Sequence, residues 1–165
     1  MFLKSISLIK HSLRTVKSPE LTQCYLEEQN KDYEGTYFLI GQSTFRSRLA
    51  KTTPKKKGYF VAFWEKDSMN TNQSFSYEES PDYLIISIID ENKKGQFIFP
   101  KDILNQQKIL RTESQKGKMA IRVYPSWETN LNSTASKTQK WQTPYFIDLS
   151  QATDTKKLKK LYKKG

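Results

Sequence analysis

The most apolar run in the chain, Tyr83-Leu84-Ile85-Ile86-Ser87-Ile88-Ile89, constrains the fold more than any other feature. It is short, rich in β-branched side chains and has no polar face. It therefore reads as a central strand covered on both sides. Pro81-Asp82 opens it, and Asp90 to Gly95 form a turn. Gln96-Phe97-Ile98-Phe99 returns as its antiparallel neighbour, and Pro100 begins a short helix over Lys101 to Gln107.

Elements of both kinds flank this hairpin. Phe2, Ile6, Ile9, Leu13 and Val16 recur at helical spacing among lysines, serines and Arg14, which predicts an amphipathic N-terminal helix packed on the domain by its apolar face. Ser18-Pro19-Glu20 reads as the start of a second helix running to about Asn30, with Cys24 on it. Thr36 to Ile40 and Thr44 to Leu49 form a hairpin about Gly41-Gln42. Lys51 to Gly58 reads as a basic loop that feeds the strand Tyr59 to Trp64. Asp67 to Ser80 is polar, a loop with one short strand. A strand over Met119 to Tyr124 is halted by Pro125, and Glu128 to Ser136 is a loop entering a helical turn. Pro144 to Leu149 is a last strand, and Thr155 to Gly165 a basic helix or frayed tail. The fold class is α+β, one domain over residues 1–165 with a mostly antiparallel curved sheet flanked by helices.

Charge narrows the partners. Lysine and arginine number 28 against 17 acids, a net +11, and removing the six lysines Lys156, Lys157, Lys159, Lys160, Lys163 and Lys164 leaves +5. The body of the chain is thus basic in its own right and favours an acidic partner. No apolar run is long enough to span a bilayer and no secretory leader is visible, so a cytoplasmic protein without a membrane span is expected. One cysteine excludes an internal disulfide, and one histidine, His11, excludes a Ser-His-Asp triad or a multi-histidine zinc site. Phosphate-loop and dinucleotide fingerprints are absent, so no cofactor is expected.

Several stretches together resemble the MepB-like family. They are Asn30 to Gly35 (NKDYEG), Phe45 to Lys51, Thr53 to Lys56 with Gly58 and Phe60-Val61, Phe63 to Asp67 (FWEKD) and Pro81-Asp82-Tyr83. The resemblance continues through Gly95 to Lys101 (GQFIFPK), Gly117 to Trp127 (GKMAIRVYPSW), Thr138 to Trp141 and Tyr145-Phe146, covering roughly Asn30 to Ser150. It implies a restriction-endonuclease-like α/β core and nucleic-acid binding, in a family named for a member encoded beside a multidrug efflux pump.

The motif residues are cationic or aromatic, a mixture suited to holding phosphates while flat rings stack on bases. The candidate interface comprises Arg46, Arg48, Lys51, Lys55, Lys56, Lys57, Lys101, Arg122, Lys137 and Lys140, with Trp127 and Trp141 for stacking. Trp64 and Tyr124, on strands, are assigned to the core. The reading is therefore a nucleic-acid-binding accessory protein, for DNA or RNA.

Two alternatives stand beside it. Pro81-Asp82 followed by Glu91-Asn92-Lys93 matches the acid and acid-x-lysine pattern of Mg²⁺-dependent nucleases, but Glu91 and Lys93 fall in the predicted turn. No catalytic or metal-binding residue is assigned on that ground. The other alternative is a protein-interaction module meeting an acidic protein in a drug-efflux or regulatory system.

Overall fold

The computed structural model describes residues 2–162. Helix α1 (Lys4–Thr15) forms with Ile9, Leu13 and Val16 buried and Lys10, His11 and Arg14 exposed, whereas Phe2, expected on the same apolar face, precedes the helix and is exposed. The predicted second helix does not form. Its residues make an edge strand, β1 (Leu21–Leu26), antiparallel to β2 (Thr36–Ile40). Pairing prevails over the helix-start signal because β2 offers an open edge, Tyr25 stacks on Tyr37 at 5.2 Å, and the extended chain carries Glu27 to two buried arginines. Cys24 therefore lies exposed on a sheet edge rather than on a helix.

The predicted hairpin of β2 with β3 (Ser43–Leu49) is present, turning at Gly41 with φ +59°. The expected basic loop is instead a second hairpin, β4 (Lys51–Thr53) with β5 (Lys56–Ala62). A two-stranded ribbon follows, β6 (Glu65–Lys66) with β7 (Asn72–Gln73). Next come the predicted pair β8 (Tyr83–Asp90) and β9 (Lys93–Pro100), then α2 (Lys101–Gln106) and β10 (Ala120–Val123). Where a helical turn was expected stands a three-turn helix, α3 (Ser133–Gln142). A single 3₁₀ turn leads into β11 (Phe146–Asp148). The basic C-terminal segment is helical as α4 (Thr155–Tyr162); Lys163 and Lys164 lie outside the described residues.

The main sheet runs β1-β2-β3-β8-β9-β11, antiparallel except for the parallel pair β3/β8. That parallel step is where the chain leaves the sheet, lays down β4 to β7 over one face and returns. A smaller sheet, β10-β5-β4, covers that face with α2, while α1 and α4 cover the other. Strand β8 is central, as its composition requires. Leu84, Ile86 and Ile88 enter the cluster beneath the small sheet, and Tyr83 and Ile85 enter the cluster beneath the helices. Each such aliphatic side chain contributes about 1.5–3 kcal/mol by leaving water.

The helical layer is tied to the sheet by a buried polar cluster. Gln96 is fully buried, and its Oε1 accepts from the Tyr162 hydroxyl at 2.8 Å and from Ser12 Oγ at 3.1 Å, tying α4 and α1 to β9. Helix α4 is thus docked through Leu158 and Tyr162. Among the described residues no helix is long and apolar enough to cross a membrane.

Candidate nucleic-acid interface

The small sheet presents a basic outer surface because its strands alternate. Tyr59, Val61, Ile121 and Val123 point into the core, so Phe60 and Arg122 face the other way, on the same side as Gly58 and Tyr124, which are themselves buried. Register then places Lys51, Phe60 and Arg122 in one row across β4, β5 and β10. Gly58 has φ +80°, and a Cβ there would lie 2.6 Å from a ring carbon of Tyr124. The missing side chain is what lets the tyrosine lie flat across β5.

Cations on this surface are fixed by neutral acceptors. The Arg122 guanidinium donates to the Lys57 carbonyl at 2.8 Å and to Thr53 Oγ1 at 2.7 Å. The Lys57 ammonium donates to the carbonyls of Thr129 at 2.5 Å and Asn130 at 3.2 Å. These contacts position the charges without cancelling them. Among the described residues, ion pairs are made by only three basic side chains, Arg46, Arg48 and Arg111. One carboxylate does lie close: Glu128 accepts from the Gly58 N–H at 2.9 Å.

The loop after β10 brings the start of α3 against the same surface. Asn132 caps the helix by accepting from the Ala135 N–H at 2.8 Å, and the helix start adds a partial positive charge. Between them lies a hollow of about 420 Å³ walled by Lys55, Lys56, Lys57, Arg122, Tyr124 and Asn132. A second, of about 280 Å³, adjoins it along Arg122, Tyr124 and Thr134 and continues to Lys118, Ile121 and Trp141. Lys137 and Lys140 are exposed on α3, and Lys51 is exposed with its ammonium 4.7 Å from the Tyr33 ring centre.

Other members of the predicted set go elsewhere. Arg46 and Arg48 share a face of β3, as their spacing implies, but that face is interior. Arg48 is fully buried, donating to Glu27 at 2.7 Å and to Asn30 Oδ1 at 2.9 Å. Arg46 donates through Nε to both Glu27 oxygens, at 3.1 and 3.0 Å, and stacks over Phe75 at 3.8 Å. Burial lowers the Arg48 pKa and Glu27 opposes that fall. Both arginines therefore hold the fold and leave the candidate surface.

Lys101 reaches over the Tyr77 ring at 4.5 Å and faces a separate hollow. Trp127 is pinned at the core edge, its Nε1 donating to the Tyr59 hydroxyl at 3.2 Å and its ring edge-on to Phe146. Tyr59 in turn donates to Asp90 at 2.7 Å, and burial, with this bond, raises its pKa. Trp141 packs on Phe99 at 5.3 Å yet also walls the second hollow.

The acid and acid-x-lysine pattern does not assemble. Asp82 and Glu91 stand at opposite ends of β8, roughly 25 Å apart along an extended strand. The Asp82 carboxylate accepts from the Thr44 N–H at 2.9 Å and from Thr44 Oγ1 at 3.2 Å, joining β3 to β8, and Glu91 occupies the turn with φ +56°. Asp82 shares its hollow with Lys101 and with Asp102, which accepts from the Tyr77 hydroxyl at 2.7 Å. Among the described residues no group of three or more His, Cys, Asp or Glu side chains is placed to hold a metal ion.

Tyr124, assigned to the core, is buried as expected, and it also borders the hollow. Sequence reasoning missed Asn132 and Thr134 as members of the surface, and no local signal could have found them, since their position depends on where α3 docks.

The architecture is that of a small α+β protein with a cationic double hollow on its secondary sheet. The MepB-like family model matches residues 27–148, and the chain belongs to that family. A crystal structure of MepB superposes with a TM-score of 0.80 at 45% identity, covering 91% of this chain and 99% of that one. The bacterial homing endonuclease I-Ssp6803I overlaps with a TM-score of 0.45 at 10% identity, over 84% of this chain and 89% of its own. No curated protein matches. A further cationic hollow, lined by Lys4, His11, Arg14 and Lys94, is built largely on α1, which the family match excludes; the double hollow lies within the matched residues.

Proposed function

We propose that this chain binds nucleic acid, DNA or RNA, through the outer face of β10-β5-β4 and the adjoining start of α3. One observation carries the reading. Lys55, Lys56, Lys57 and Arg122 wall a single hollow, and none of them has a carboxylate partner among the described residues. Four cations, of which Lys57 and Arg122 are held by carbonyls and a hydroxyl, match a row of phosphates, which are neutralised one by one as counterions are released. Lys51 on β4 and Lys137 and Lys140 on α3 are further exposed cations on the elements that build this surface.

Fluorescence anisotropy of a labelled oligonucleotide, titrated at low and at moderate salt, tests this. Affinity should fall steeply with salt, each phosphate contact adding about 0.7–0.9 to the logarithmic slope. Absence of binding even at low salt would falsify the reading.

A further inference from the structure

The two adjoining hollows differ in chemistry. The larger is cationic, with three lysines, Arg122 and the start of α3. The smaller is walled by the indole of Trp141, by Ile121 and by Tyr124, with Lys118 at its far rim. Arg122, Tyr124 and Thr134 line both, so the two adjoin, at about 420 and 280 Å³.

Tyr124 lies at the junction, 9% exposed, with its backbone N–H donating to Gln142 Oε1 at 2.9 Å. Its ring stands at the seam between a cationic chamber and an aromatic one, where a ligand with an anionic end and a flat ring would meet it.

From this juxtaposition we infer that the double hollow seats one unstacked nucleotide of a single strand, its phosphate among Lys55, Lys56 and Arg122 and its base beside Trp141. The inference rests on the nucleic-acid reading above and sharpens it. Bases of a duplex are paired and stacked and cannot enter such a chamber, whereas every base of a single strand has a free face for an aromatic wall. The protein should therefore discriminate by strandedness, not only by charge.

The test compares labelled oligothymidylate with a duplex of equal phosphate number at one salt concentration, for the wild type and for Thr138→Phe. Thr138 lines the smaller hollow from α3, so a phenyl ring there fills the chamber while Trp141 keeps its packing on Phe99. Wild type should prefer the single strand roughly tenfold, and Thr138→Phe should lose at least about fivefold of that affinity while leaving duplex binding unchanged. Thermal unfolding of the variant, matched to wild type, separates a filled chamber from a damaged fold, and Trp141→Phe, which keeps a ring on Phe99, should weaken the single strand alone. Equal affinity for both strands, or equal losses on both in a variant that unfolds like wild type, overturns the inference and leaves nucleic-acid binding standing. Failure to bind either polymer overturns both.

Discussion

Arg48 and Arg122 are the same residue on strands of the same protein, yet they do opposite things. Arg48 projects from β3 into the space between the sheets, where Glu27, Asn30 and the Ser47 carbonyl accept from its two terminal nitrogens and Phe63 and Phe75 lie near it. Arg122 projects from β10 away from the core and is held only by a carbonyl and a hydroxyl. Removing a guanidinium from water demands a counter-charge, and the buried pair finds it in Glu27, directly after β1. At the surface, water makes that demand lapse, and an arginine can be oriented by neutral acceptors with its charge still available to a ligand. A count of basic residues merges these two populations; their partners separate them.

The comparison can be broken most forcefully at Glu27. Replacing it with Ala leaves two guanidinium groups without their carboxylate, and stability to chemical denaturation should drop by about 3–5 kcal/mol. A loss below about 1 kcal/mol would show that the arginines are solvated. Next comes Gly58→Ala, on the surface side. Positive φ and the 2.6 Å approach to Tyr124 should together cost about 1–3 kcal/mol, and nucleic-acid affinity should fall with it as the tyrosine is displaced.

Tyr162→Phe sharpens the interior side again, removing the donor to Gln96 for about 1 kcal/mol. Burial raises the Tyr162 pKa above its ordinary value near 10, so the folded state keeps its proton while the unfolded chain gives it up. The stability is whole below about pH 10 and declines above it, by up to about 1.4 kcal/mol per pH unit for this group. Denaturation curves across that window should be less steep in pH for Tyr162→Phe than for wild type.

The smallest effect on stability belongs to Lys55→Ala and Lys56→Ala, within about 0.5 kcal/mol of wild type since both side chains are exposed. Their effect should appear instead in the salt dependence of binding, whose slope falls by about one for each phosphate contact removed. An unchanged slope in the double variant would move the interface off this hairpin.

Much of the scaffold was legible because burial leaves a trace in composition. The Tyr83 to Ile89 run could only be a strand covered twice, and Ile9, Leu13 and Val16 could only be one face of a helix. Residues 21 to 26 misled, since proline after serine is a sound helix start and nothing local records the open edge of β2 or the charge on Arg46 and Arg48. The site was legible in part: Lys55, Lys56, Lys57 and Arg122 do converge, but Lys101 and Trp127 do not join them.

By itself the sequence determined the central strand over Tyr83 to Ile89 and the N-terminal helix through apolar periodicity, a property of neighbouring residues that survives without any partner. Only the tertiary structure decided which arginines face water and which side chains meet in one hollow. Those outcomes depend on contacts between residues far apart along the chain, as when Glu27 reaches Arg48 or α3 docks beside β10, and no local pattern encodes them.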